Sequence, residues 1–144
     1  MERIYFDNAA TTALDKAVLD TMLPYMTEKF GNPSSIYSYG RESRLGIENA
    51  RKTVAKILNA HPGEIFFTSG GTESDNWAIL GALEADPQKR HIVTTRVEHE
   101  AVRKLCEKLE RNGYEVTWLE VDELGRLDLD ELRDSLRLDT ALVS

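Results

Sequence analysis

Two groups of residues in this sequence have types and spacing suited to chemistry. Thr68-Ser69-Gly70-Gly71-Thr72-Glu73-Ser74 joins a short apolar run to a helical pattern. Glycines let a backbone approach a ligand closely, and the free N–H groups at a helix start attract an anion. Ser69, Thr72 and Ser74 add hydroxyl donors, so the segment has the composition of a phosphate-holding turn. The same composition also serves as a plain strand-to-helix turn. It lacks the Gly-Lys-Ser/Thr of a P-loop, which argues against nucleotide hydrolysis. His99 follows a strand pattern and opens a helix. In an open α/β sheet that edge is where ligands gather, and a histidine there can act as an acid or base or stack on a planar ring. It can equally be a helix-start histidine that meets a carbonyl or Glu98.

Other segments carry weaker signals. Asp7-Asn8-Ala9-Ala10-Thr11-Thr12 is small and polar; it could line a cleft or simply lead into a helix. Gly31-Asn32-Pro33-Ser34-Ser35 is a dense loop signal of similar ambiguity. His61 and His91 stand in a turn and at a strand start and receive no role. Cys106 falls inside a helical pattern between Leu105 and Leu109 and reads as a packed thiol.

The elements that must position these groups follow from hydrophobic periodicity. Asp15 caps a first helix carrying Val18, Leu19, Met22, Tyr25 and Met26, with Pro24 predicting a kink or broken turn. A second helix is expected from about Arg41 to Leu58, burying Leu45, Ala50, Val54, Ile57 and Leu58. After His61-Pro62-Gly63, residues 64–68 read as a strand, followed by a helix over about 72–83. Strands are expected at 91–95, 115–119 and from Thr140. Between them lie a helix ending near Asn112-Gly113 and a short one from Asp128 to about Leu136, with Glu131 at capping-box spacing. This alternation is α/β, with a mostly parallel sheet between helices.

The chain has 144 residues, 41% hydrophobic and 30% charged, which suits a globular domain rather than a disordered or fibrous chain. Its formal net charge of −7 argues against a general nucleic-acid or anionic-membrane surface. The excess lies in the second half: residues 1–72 carry 8 acidic and 8 basic side chains, residues 73–144 carry 17 and 10. One cysteine excludes an intramolecular disulfide and a Cys-rich zinc cluster, and no metal site is expected. With no secretory pattern and no long apolar run, a soluble, cytoplasmic chain without membrane association is expected.

Four motifs occur in order: Phe6-Asp7-Asn8-Ala9-Ala10-Thr11-Thr12, Phe30-Gly31-Asn32-Pro33-Ser34-Ser35, Phe67 through Asn76, and Val97-Glu98-His99. Together they make the sequence closely resemble the N-terminal part of NifS/IscS-type cysteine desulfurases, a branch of the class V aminotransferases. The resemblance covers essentially the whole chain. The Gly-Gly-Thr-Glu-Ser-x-Asn form is nearer to NifS/IscS than to the related SufS group.

The resemblance implies pyridoxal 5′-phosphate (PLP) chemistry on a fold-type I scaffold, here an incomplete large domain in a three-layer α/β/α arrangement. Residues 1–14 would be an N-terminal arm near the active site and 15–60 the N-terminal helices. Residues 61–144 would be the first part of the PLP-binding domain, ending at a strand. Gly71 and Thr72 match residues that hold the cofactor phosphate. His99 matches the histidine that stacks on the cofactor ring and assists proton transfer. Asn8, Ala9 and Thr11 match a segment near the substrate entrance. Where the family commonly has histidine after Pro33-Ser34-Ser35-Ile36, this chain has Tyr37.

Family members take sulfur from L-cysteine, leaving L-alanine and an enzyme persulfide for iron–sulfur clusters or tRNA thiolation. They work as homodimers and hand sulfur to acceptor scaffold proteins. The Schiff-base lysine and the nucleophilic cysteine of the family lie beyond the equivalent of Ser144. None of the seven lysines, and not Cys106, matches them. The expectation is therefore a chain not competent alone, needing a C-terminal half that supplies both. The alternatives are a non-catalytic interaction module, or part of another class V PLP enzyme such as a selenocysteine lyase.

Overall fold

Asp15 accepts the backbone N–H of Ala17 at 2.7 Å, and helix α1 (Lys16–Thr27) begins behind that cap. A computed structural model describes residues 3–144. The chain divides into two compact units, Met1–Phe66 and Phe67–Ser144.

In the first unit α1 runs unbroken through Pro24, so the expected broken turn does not occur. The Pro24 carbonyl accepts from Glu28 and Lys29 N–H at 2.9 and 2.7 Å and so closes the helix end. Helix α2 (Ser38–Ile57) starts earlier than its pattern suggests. The loop before it is held by Asn32, whose Oδ1 accepts the Ser34 N–H at 2.9 Å. That loop packs on the first turn of α2 at Gly40, where a Cβ would stand 2.5 Å from the Asn32 and Ser35 carbonyl oxygens. The burial expected along α2 is not observed. Leu45, Ile57 and Leu58 are 62%, 76% and 64% exposed, and the buried positions are Gly40, Ser43 and Ala55. Periodicity marks a face that prefers burial, but burial requires a partner.

A 3₁₀ turn, Pro62–Glu64, follows. His61 Nδ1 accepts the Gly63 N–H, and the Glu64 carboxylate accepts the His61 N–H at 2.6 Å. The strand expected over 64–68 is absent. Ile65 has extended backbone, but among the described residues no strand pairs with this run. Extended backbone becomes a strand only when another supplies its hydrogen bonds.

The second unit holds α3 (Gly71–Ala85), β1 (His91–Thr95), α4 (Glu100–Arg111), β2 (Glu115–Leu119), α5 (Leu129–Ser135) and β3 (Thr140–Val143). All three strands fall where the sequence places them. They form a parallel sheet in the order β2-β1-β3, His91 lying opposite Glu115 on one side and Thr140 on the other. The connection through α4 leads from β1 to one neighbour, and the connection through α5 returns past β1 to the other.

Ile79 and Leu83 of α3, Ile92 of β1, and Val102, Leu105, Cys106 and Leu109 of α4 make one buried cluster. Val116, Trp118, Ala141 and Leu142 of the flanking strands pack against it. Both helices therefore cover the same sheet face. Gly113, at φ +83°, lets α4 end and turn into β2, a conformation an L side chain rarely adopts. Asp128 accepts from Asp130 and Glu131 N–H and caps α5. No helix among the described residues is long and apolar enough to cross a membrane.

Candidate functional site

Helix α3 begins at Gly71 with no side chain capping it. A Cβ built at Gly70 or Gly71 meets no atom within 4 Å, so the space beside these first-turn N–H groups is open. Of the three hydroxyls expected to face an anion, two shape the turn instead. Ser69 donates both N–H and Oγ–H to the Glu73 carboxylate, at 2.6 and 2.7 Å. Ser74 Oγ lies 2.7 Å from Thr68 Oγ1. Thr72 remains, and it lines an adjoining groove. The two Ser69 hydrogen bonds hold Glu73 below its ordinary carboxylate range, so the turn is locked by a charged side chain.

His99 is the cap residue of α4, four positions beyond the end of β1. Its Nδ1 accepts the Ala101 N–H at 3.1 Å, so the neutral ring carries its proton on Nε2. Among the described residues neither a carbonyl nor Glu98 claims the ring; Glu98 instead accepts from Thr95 Oγ1 at 3.0 Å. The ring is exposed.

Thr72, Asn76 and Leu80 of α3, the cap residue His99, and Lys104 and Leu105 of α4 border one open groove of about 440 Å³. Asn76, which carried no role in the sequence reading, ties its two walls. Its Nδ2 donates to the Thr72 carbonyl at 2.8 Å and to the Ala101 carbonyl at 3.3 Å. Its signals were its place at the end of the Gly-Gly-Thr-Glu-Ser-x-Asn motif and its position one helical turn after Thr72.

The structure thus brings Thr72 and His99 to one groove, with Gly71 at the helix start beside Thr72. Asn8, Ala9 and Thr11 belong to the first unit. There Ala10 and Thr11 N–H groups donate to the Asp7 carbonyl in a tight exposed turn. Among the described residues no group of three or more His, Cys, Asp or Glu could hold a metal ion.

Cys106 is fully buried, and burial first, then the Glu98 and Glu110 charges, push its thiol up to about 11. That is the setting of an inert packed thiol. His91 is also fully buried, with Nδ1 2.8 Å from Thr140 Oγ1 and Nε2 2.9 Å from Thr117 Oγ1. It joins all three strands, a structural role invisible in the sequence.

A parallel α/β unit with an open helix N-terminus after a Gly-Gly turn, and a histidine past the adjacent strand, is one part of a fold-type I PLP-enzyme domain. The chain belongs to the class V aminotransferase family, whose model matches residues 4–144. That family is generally PLP-dependent.

Among its relatives, the cysteine desulfurase IscS of Methanosarcina thermophila is 54% identical over 142 residues. The match covers 98% of this chain and 35% of the relative. A solved NifS-like protein superposes with a TM-score of 0.94 at 44% identity, covering 99% of this chain and 39% of the other. A structure described as SspA in complex with cysteine gives 0.89 at 36% identity, covering 96% and 40%. The chain therefore spans little more than a third of the length of the relatives it matches.

The residues present fit the cofactor's phosphate: the helix start has no side-chain cap, the space at Gly70 and Gly71 is open, and Thr72, whose hydroxyl has no partner among the described residues, lines the adjoining groove.

Proposed function

We propose that this chain supplies one wall of a PLP-dependent cysteine desulfurase site, with L-cysteine as substrate. The open N-terminus of α3 beside the His99 groove carries the reading, since it offers both anion donors and an exposed imidazole. Backbone N–H groups at Gly71 and the Thr72 hydroxyl would hold the cofactor phosphate. His99 would lie against the cofactor ring and exchange a proton at Nε2, its Nδ1 being committed to Ala101. When bound, the cofactor supplies the electron sink for a carbanion at the substrate Cα. Asn8, Ala9 and Thr11 would border the substrate entrance. The names of the relatives, and the cysteine named in the SspA structure, support this substrate class.

The sulfur of L-cysteine would pass to an enzyme thiol, leaving L-alanine. Cys106, buried and protonated, is not that thiol, and no lysine here matches the cofactor-anchoring position. We therefore assign the lysine and the nucleophilic cysteine to a C-terminal part that completes the enzyme as a cytoplasmic homodimer serving a sulfur-acceptor scaffold.

The test is to mix the chain with a separately expressed C-terminal part bearing both residues and to measure alanine formed from L-cysteine. Alanine should appear with the pair and not with the 144-residue chain alone. Alanine production by this chain alone would sink the assignment of the missing groups. Failure of Gly71 and Thr72 amide resonances to respond to PLP would sink the phosphate site.

A further inference from the structure

The Ala101 backbone is held at both its N–H and its carbonyl. His99 Nδ1 takes its N–H at 3.1 Å, and Asn76 Nδ2 reaches its carbonyl at 3.3 Å. The same Nδ2 donates to the Thr72 carbonyl at 2.8 Å. Both acceptors are carbonyl oxygens, so the atom facing them must be the amide NH₂, and the side-chain orientation is determined by its partners. A half-buried amide thus links the residue beside the anion-binding turn to the residue that His99 caps. This side-chain hydrogen bond between the two helices stands beside the apolar cluster around Ile79 and Leu105. The bond to Thr72 lies within α3 and the bond to Ala101 crosses to α4, so the amide anchors the first turn of one helix to the first turn of the other.

We propose that Asn76 is a positioning residue: by holding the Thr72 and Ala101 carbonyls together it sets where His99 presents its Nε2–H relative to the N-terminus of α3. The inference deepens the reading of the site given above and rests on it for its catalytic meaning, but its physical content is tested without any ligand. An acceptor in place of the amide would face two carbonyl oxygens and be repelled. An apolar side chain of similar size would fill the space and leave the carbonyls uncoupled.

The experiment is nitrogen-15 NMR of the histidine rings in the 144-residue chain, with Asn76→Leu and Asn76→Asp. The chain has three histidines, so each ring can be assigned by single substitution. Ile79→Val, a core truncation on the same helix, is the control for general loosening.

The wild type should show His99 locked with its proton on Nε2. Both Asn76 variants should move the ring toward a mixture of tautomers and speed Ala101 amide exchange about fivefold, the change one hydrogen bond corresponds to. Ile79→Val should lower the melting temperature while leaving the His99 ring signals in place. If Asn76→Leu and Asn76→Asp leave the ring signals unmoved, or if Ile79→Val shifts them equally, Asn76 is only packing and the proposal is overturned. If the ring responds as expected but PLP fails to shift Gly71 and Thr72, the positioning role stands and the cofactor reading falls.

Discussion

His99 Nδ1 accepts the Ala101 N–H at 3.1 Å, so one imidazole both caps helix α4 and borders the groove. The two roles separate by substitution. Asn is a good helix cap and Ala is not, while neither has a ring. His99→Asn should keep thermal stability close to wild type, and His99→Ala should lower it by about 1 kcal/mol. Both should abolish most turnover in the completed enzyme. Equal melting temperatures for the two variants would show that the cap contributes nothing.

Gly71→Ala probes the proposed phosphate site in the opposite sense. A Cβ there meets nothing within 4 Å, and alanine is the better helix former, so stability should hold or rise. The methyl would occupy the space beside the first-turn N–H groups. Loss of one charge-assisted hydrogen bond weakens PLP or phosphate binding by about tenfold or more, measurable by amide-shift titration. Unchanged affinity would move the phosphate away from Gly71.

His91 gives the fold a pH limit. Burial first, then the Arg137 guanidinium, hold its pKa below the ordinary 6.5, against the opposing charges of Asp139 and Glu115. The folded state therefore favours the neutral ring. Its contribution is complete above pH 6.5 and is lost as pH falls below that value, when the unfolded chain takes up the proton first. Denaturant midpoints should fall between pH 7 and 5, with a slope of at most ~1.4 kcal/mol per pH unit for one proton. His91→Gln should flatten that limb. The lowered carboxylates Glu73, Asp122 and Asp139 lose their contribution only at lower pH, below their ordinary values near 4.

Cys106, with its thiol pushed up to about 11 and its side chain enclosed, should resist alkylation at pH 8 in the native chain. Labelling should become fast only in denaturant, with a native rate that tracks global unfolding. Rapid native labelling would contradict the enclosed position.

Thr94 is buried in β1, and its hydroxyl finds no partner among the described residues. Valine has nearly the same shape without the polar atom. Thr94→Val should raise unfolding free energy by about 1 kcal/mol, read from urea melts. A loss of stability would mean that the hydroxyl is satisfied in solution.

What could be read along the chain was local. Asp15 and Asp128 announce helix starts because a cap acts within three residues, and 91–95, 115–119 and 140–143 read as strands because apolar, β-branched runs between breakers carry their own signal. The motifs that show the family are likewise contiguous, so the Gly-Gly turn before α3 and the helix start at His99 could be placed along the chain.

What the tertiary structure alone decided depends on partners distant in sequence. The apolar face of α2 and the run at 64–68 have the right pattern, yet within the described residues neither gains the cover or the neighbouring strand that would realise it. His91 became a three-strand clamp because Thr117 and Thr140 stand 26 and 49 residues away, and Asn76 became a tie because Ala101 lies 25 residues on. A residue type states which hydrogen bonds and burial it can make; only the folded path of the backbone brings the second group within the 3 Å that makes them real.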